Sequence, residues 1–226
     1  MKIFNLLPPI VYTAAFVFIA LFFWFSKDIS SLTREDGLIE WMSAICYICS
    51  TIFALYFYRK SLYPSLTIFW IIFSIICFGE ETSWLQRQLN YSVKSIEKHN
   101  LQEEFNFHNL KYFGKGRTLD QEGNLTFNTE LIFSTQVLFQ LGLLVYFMLL
   151  PAIRSKSVFI QHHFPKIPNY FLFVFWTLVI ISFALSYVTS LPVRNGIAET
   201  RECLYAFFIL IHLPFLLSNN IPLIGK

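Results

Sequence analysis

Apolar residues run along this chain in stretches of about twenty, each closed by charge, proline or glycine. A helix rises 1.5 Å per residue, so about twenty residues cross a hydrocarbon core about 30 Å thick. Six such runs occur, at about 7–26, 38–57, 63–80, 130–151, 169–190 and 199–217. The pattern predicts an all-α, polytopic membrane helix bundle of about six transmembrane helices, one integral membrane domain over 1–226. The mixed-charge stretch Ser26–Gly37 joins the first two runs, and the tight Tyr58–Tyr63 joins the next two. Pro64 suits a helix start, where its missing N–H costs nothing. Pro151 and Pro168 bracket a basic loop, and Pro192, Asn195 and Gly196 predict the last external turn.

The sizeable segment outside the membrane lies at about 82–129, between the third and fourth helices. From Thr82 to Leu110 it is polar, with Trp84, Leu85, Leu89, Leu101, Phe105 and Phe107 interspersed. That mixture predicts short amphipathic helices on the membrane surface. From Lys111 to Asn128, punctuated by Gly114, Gly116 and Gly123, it reads as a turn or hairpin. A loop of this length in a compact bundle is more often functional than decorative.

Composition excludes a soluble domain: the chain is 55% hydrophobic and 19% aromatic, with a mean hydropathy of +0.54. Alternating segments put Lys2, Arg59, Lys60, Arg154, Lys156, Lys166 and Lys226 on one face with no acid beside them. The other ten basic residues and all fourteen acids fall on the opposite face. Short loops rich in Lys and Arg stay inside, so both termini are expected in the cytoplasm of a bacterial inner membrane. The first run follows only Lys2 and lacks a small-residue cleavage site, which predicts a retained helix. No internal repeat supports an inverted-repeat transporter. No nucleic-acid partner is expected. Cys46 and Cys49 sit mid-helix without a second pair and read as small apolar filler.

The acids cluster at three helix ends: Asp36 and Glu40, Glu80 and Glu81, Glu199 and Glu202. Carboxylates at a lipid boundary are costly and face a protein interior or a watery cavity. The densest stretch is Gly79-Glu80-Glu81-Thr82-Ser83-Trp84-Leu85-Gln86-Arg87. Two adjacent carboxylates at a helix C-terminus oppose the dipole and each other, so a cation, an arginine or a shared proton must compensate. Ser83 beside them is a candidate nucleophile. Further on, a helix through Glu104 and His108 would set the two on one face, a spacing suited to a metal or an acid–base pair. Histidine also suits proton transfer near neutral pH. Acids in a first helical turn need no further reason, which covers Asp36 and Glu199; Glu40 and Glu202 lie about a turn deeper. His212 is thirteen residues past Glu199, about 20 Å along a helix, and His162 and His163 belong to the other face; His108, four residues from Glu104, is read as the imidazole of this site. One histidine among acids suits Mg, Ca or Mn, or a Glu-Glu-His zinc set, and a metal-free acid–base site is the alternative.

Glu80 to Arg87, read as Glu-Glu-x-Ser-Trp-x-Gln-Arg, and Asn106 to Asn109, read as Asn-x-His-Asn, are similar to motifs of a group of uncharacterised bacterial polytopic membrane proteins. That likeness covers most of the chain and brings no established reaction. Glu80-Glu81…Arg87 and Phe105…His108 also resemble the opening motifs of the intramembrane CAAX-protease and bacteriocin-processing family. There the spacings are Glu-Glu-x-x-x-Arg and Phe-x-x-x-His; here Arg87 is six residues after Glu81 and His108 three after Phe105. The third motif of that family, His-x-x-x-Asn or Asp, fails at Leu216 after His212. Alkaline ceramidase-like hydrolases are similar as acid- and histidine-bearing bundles, but their several zinc histidines have no counterpart here.

The expectation is a membrane hydrolase or group transferase acting on a lipid or lipid-linked substrate at the outer leaflet. Glu80, Glu81 and His108 are its candidate catalytic residues, and Arg87, Trp84 and Asn109 its candidate substrate contacts. Glu81, Glu104, His108, Glu40 and Glu202 are candidate ligands for a divalent metal, should one be used. The rival expectation is a non-enzymatic assembly or ion-handling protein whose acids form a structural polar network. Spans one, four and five offer only scattered polar residues such as Gln136 and Gln140, which argues against a channel.

Overall fold

The computed structural model describes residues 37–100, 103–107, 110, 117–119, 125–127, 135–188 and 191–218. The predicted first span, Asp36, Gln136's side chain, His108 and Asn109 lie outside that description. The described chain is helical apart from one small ribbon. In order come α1 (Leu38–Phe57), α2 (Pro64–Glu81), a turn at Ser83–Leu85, α3 (Gln86–Leu89) and α4 (Lys94–Glu97). Strands β1 (Arg117–Leu119) and β2 (Leu125–Phe127) follow, pairing antiparallel with Thr118 opposite Thr126, as the glycine-punctuated stretch predicted. Then come α5 (Thr135–Leu144), a π-helical segment Val145–Leu149, α6 (Leu150–Arg154), α7 (Val158–His163), α8 (Asn169–Val188) and α9 (Leu191–Ser218).

Among the described residues, four helical stretches are long and apolar enough to cross a membrane: Leu38–Phe57, Pro64–Glu81, Val137–Arg154 and Asn169–Tyr187. The first two match the predicted runs within a residue, because Gly37 and Pro64 fix their starts. Two boundaries differ from expectation, both at prolines. Helix continues through Pro151 to Arg154, with the wider π turn directly before it. Proline lacks an N–H and its ring crowds the carbonyl four residues back, which a π turn relieves. Pro192, Asn195 and Gly196 are not a turn but the opening of α9, which runs 28 residues. Pro192 is tolerated there because first-turn amides have no helical partner to lose.

The described residues divide into two compact units, Met1–Phe78 with Arg154–Lys226, and Gly79–Ile153. In the first unit α9 packs along α1 and α8. Helix α1 turns Ser43, Ala44, Tyr47, Ser50, Thr51 and Ala54 inward, a seam of mostly small residues at helical spacing. Small side chains let helix backbones approach closely, the usual basis of packing in lipid, where apolar burial alone gives no preference. Ser43, Ser50 and Thr51 return their hydroxyls to the carbonyls of Ile39, Cys46 and Tyr47, so none adds an unpaired donor to the seam. The opposite face carries Leu38, Ile45, Ile52 and Leu55, all exposed, as expected of a lipid-facing surface. Trp70 of α2, Phe171 of α8 and the fully buried His212 of α9 form an aromatic core, with ring centroids 6.1 and 5.8 Å from the imidazole. The four cysteines are free thiols.

Overpacking a close helix seam costs about 1–3 kcal/mol. Ala44→Leu, at 1% exposure, is therefore expected to lower the melting temperature in detergent by several degrees. Ile45→Leu, at 55% exposure, should leave it within a degree or so.

Candidate functional site

The second unit opens on the acidic C-terminus of α2, and Trp84 turns back over it. A Cβ placed on Gly79 would lie 2.5 Å from both Cδ2 and Cε2 of that indole, so only glycine permits the overlap. The indole Nε1 donates to Glu80 Oε1 at 3.1 Å, and the Phe107 amide donates to Glu80 Oε2 at 2.8 Å. Glu80 thus ties the helix end to a segment 27 residues later. This is part of the compensation that paired acids at a helix C-terminus require.

The turn that brings Trp84 back is left-handed. Ser83, Trp84 and Leu85 have φ values of 46°, 54° and 62°. For a residue with a Cβ this conformation costs about 1–2 kcal/mol, and here it occurs three times in succession without a glycine. Bonds around the turn offset that strain. The Leu85 amide donates to the Thr82 carbonyl at 2.9 Å, and the Tyr91 hydroxyl donates to the Trp84 carbonyl at 2.9 Å. Desolvation pushes the Tyr91 phenol above its usual range.

Glu104 is the centre of the unit. Its Oε2 accepts from Ser83 Oγ at 2.5 Å and from Asn106 Nδ2 at 3.0 Å, and its Oε1 is paired with the Arg87 guanidinium. Asn106 Nδ2 also reaches Ser83 Oγ at 3.1 Å. Asn100 Nδ2 then donates to the Asn106 side-chain oxygen at 2.8 Å and to its carbonyl at 2.9 Å. Ser83, Asn100, Glu104 and Asn106 are all buried. A second acid, Glu97, orders the intervening loop by accepting from Gln86 Nε2, Ser92 Oγ and the Val93 amide at 2.6, 2.7 and 2.8 Å. Gln86 Oε1 in turn accepts from the Phe105 amide at 2.5 Å.

The predicted site residues Glu80, Glu81, Trp84, Arg87 and Glu104 therefore belong to one unit. Glu40, in the first turn of α1, and Glu202, on α9, belong to the other. Next to Glu202 the buried Arg201 guanidinium sits 4.0 Å above the Phe183 ring. The expected helix through Glu104 and His108 is absent over the described residues 103–107, and His108 lies outside the description. Residues 103–105 and 107 are bends, and Glu103 has a φ of 59°, so no helical spacing starts from Glu104. Among the described residues between Thr82 and Leu110, the expected short helices are the single turns α3 and α4 beside the turn at Ser83–Leu85. Both oxygens of Glu104 accept from protein donors, Oε1 from Arg87 and Oε2 from Ser83 and Asn106. Among the described residues no three of His, Cys, Asp and Glu come together in a metal-binding group. Sequence reasoning missed Glu97, Gln86 and Asn100; the concentration of amide side chains between Gln86 and Asn109 was the available signal.

No family model matches the chain, and neither a curated protein nor a solved structure matches it.

Gly79→Ala is expected to swing the indole out and break its bond to Glu80, at an overpacking cost of about 1–3 kcal/mol. The readouts are a lower melting temperature and red-shifted tryptophan emission. Gly142→Ala, where a Cβ meets nothing within 4 Å, should be neutral or stabilising by up to about 1 kcal/mol. Arg87→Met leaves Glu104 without its countercharge; since the Arg87 side chain is 31% exposed, a loss of about 2–3 kcal/mol is expected, below that of a fully buried pair.

Proposed function

We propose that this is a six-span membrane enzyme, a hydrolase or group transferase acting on an ester-bearing lipid or lipid-linked substrate. Its site faces the extracytoplasmic side of a bacterial inner membrane, with both termini in the cytoplasm. The observation that carries the reading is the Ser83–Glu104 pair: a serine hydroxyl 2.5 Å from a carboxylate, held in a left-handed turn. Unfavourable backbone conformations persist where the surroundings enforce them, and they concentrate at active sites. A hydroxyl with an adjacent base is the general arrangement of an activated nucleophile.

In this reaction Ser83 Oγ bonds to the ester carbonyl carbon while its proton passes to Glu104. The carbon–oxygen bond to the leaving alcohol breaks and the alcohol takes that proton. Water, or a second alcohol in the transferase case, then releases the acyl group by the same steps. Arg87 supplies countercharge to Glu104, and Asn106 fixes both partners. Glu80, Glu81, His108 and Asn109 remain part of the proposal as neighbouring acid–base and substrate groups, with Trp84 at the membrane-facing end. A divalent metal, should the reaction use one, would draw its ligands from Glu81, Glu104 and His108, with Glu40 and Glu202 as the further candidates.

A second reading has its own support. Each oxygen of Glu80, Glu97 and Glu104 accepts a hydrogen bond from within the unit. A set of acids so fully satisfied also serves as a structural network in an assembly protein.

A small fluorophosphonate probe separates the two. The enzyme reading predicts covalent labelling at Ser83 in membranes, lost in Ser83→Ala and reduced at least tenfold in Glu104→Gln. Absence of labelling in folded wild-type protein, together with a lower melting temperature in both variants, would reject it for the structural network.

A further inference from the structure

The segment between Val137–Arg154 and Asn169–Tyr187 is joined at both ends to helices apolar enough to span, so it lies at a membrane face. Arg154 Nε donates to the Phe164 carbonyl at 3.0 Å, and Phe164 and Ile167 are each 3% exposed. The loop is thereby fixed to the first unit. Within it, α7 is capped by Ser157, whose Oγ accepts from the Ile160 amide at 3.4 Å, while the Gln161 amide donates to the Ser157 carbonyl at 3.0 Å.

This anchored helix presents an apolar pair outward. Val158 and Phe159 are each 70% exposed, and His162 and His163, four residues on from each, share their side of the helix. The His163 ring stacks on Phe159 with centroids 4.4 Å apart, and its Nδ1 lies 2.9 Å from the Phe159 carbonyl. Lys156 and Lys166 flank the helix, both exposed. No acid occurs in the sequence between Glu130 and Glu199.

We propose that α7 is an interfacial anchor that seats Val158 and Phe159 among anionic lipid headgroups, with Lys156 and Lys166 on the phosphates. Exposed apolar residues beside unopposed basic ones are what an anionic leaflet attracts, and each basic group near such a surface adds to the binding. The placement between two spanning helices delivers the patch to that surface without a separate binding step. The inference is independent of Ser83 chemistry.

The test is hydrogen exchange of peptides covering residues 155–166 in full-length protein reconstituted into nanodiscs. One bilayer is phosphatidylcholine alone; the other contains phosphatidylglycerol. Exchange is expected to slow at least about fivefold in the anionic bilayer, the effect of about 1 kcal/mol per basic residue near the surface. Lys156→Gln with Lys166→Gln should abolish the difference, and Val158→Ser with Phe159→Ser should speed exchange in both bilayers. All four positions are on the outside of the fold, so these variants are expected to keep the wild-type melting temperature. Equal exchange in the two bilayers, or slowing that survives loss of both lysines, would overturn the proposal. The first outcome would point to a protein partner for this face.

Discussion

The carboxylate of Glu104, placed in the interior of the second unit, sets the terms for everything around it. A buried charge without partners is prohibitive, so the fold must deliver a cation and neutral donors to both oxygens. Arg87, Ser83 and Asn106 do so, from positions up to 21 residues away in sequence. Among the described residues between 83 and 107 there is no helix longer than one turn and no strand of a sheet. Side-chain acceptors therefore do the work that backbone ladders do elsewhere. Glu97 collects three donors, Gln86 caps the Phe105 amide, and Asn100 locks Asn106.

Those bonds make the left-handed turn tenable. Three consecutive positive-φ residues cost about 3–6 kcal/mol by their backbone alone, more than a typical neutral hydrogen bond returns. No single contact can hold such a turn, but the joined set around Glu104 and Glu80 can. Gly79 belongs to the same solution, since the returning indole occupies the space a side chain there would need. Strain, ion pair and aromatic overlap thus form one construction, and disturbing any member should be felt by the others.

The first unit obeys a different constraint. Its helices must choose partners in an apolar solvent, so shape decides. The small residues of α1 select α9, while large apolar residues on the other side of α1 suit lipid. In the loop between α6 and α8, Arg154 is tied to the Phe164 carbonyl, and Lys156 and Lys166 are exposed.

By itself, the sequence determined the parts set by composition and local rules. Long apolar runs between charge and proline located α1, α2 and α8 closely, because length and hydropathy alone decide whether a segment can cross a bilayer. Glycine punctuation foretold the β1–β2 ribbon, and the paired acids of Gly79–Arg87 marked the end of α2 as a place needing compensation. Proline misled at Pro151 and Pro192, since its effect depends on its position within the helix and on whether a π turn relieves it. Tertiary structure alone decided which acid became central. Four-residue spacing offered Glu104 to His108, but that inference requires a helix, and the chain bends there instead. Arg87 and Ser83 reach Glu104 across 17 and 21 residues. No periodicity encodes such a meeting, because it depends on the path of the loop and on a left-handed turn that no glycine announces.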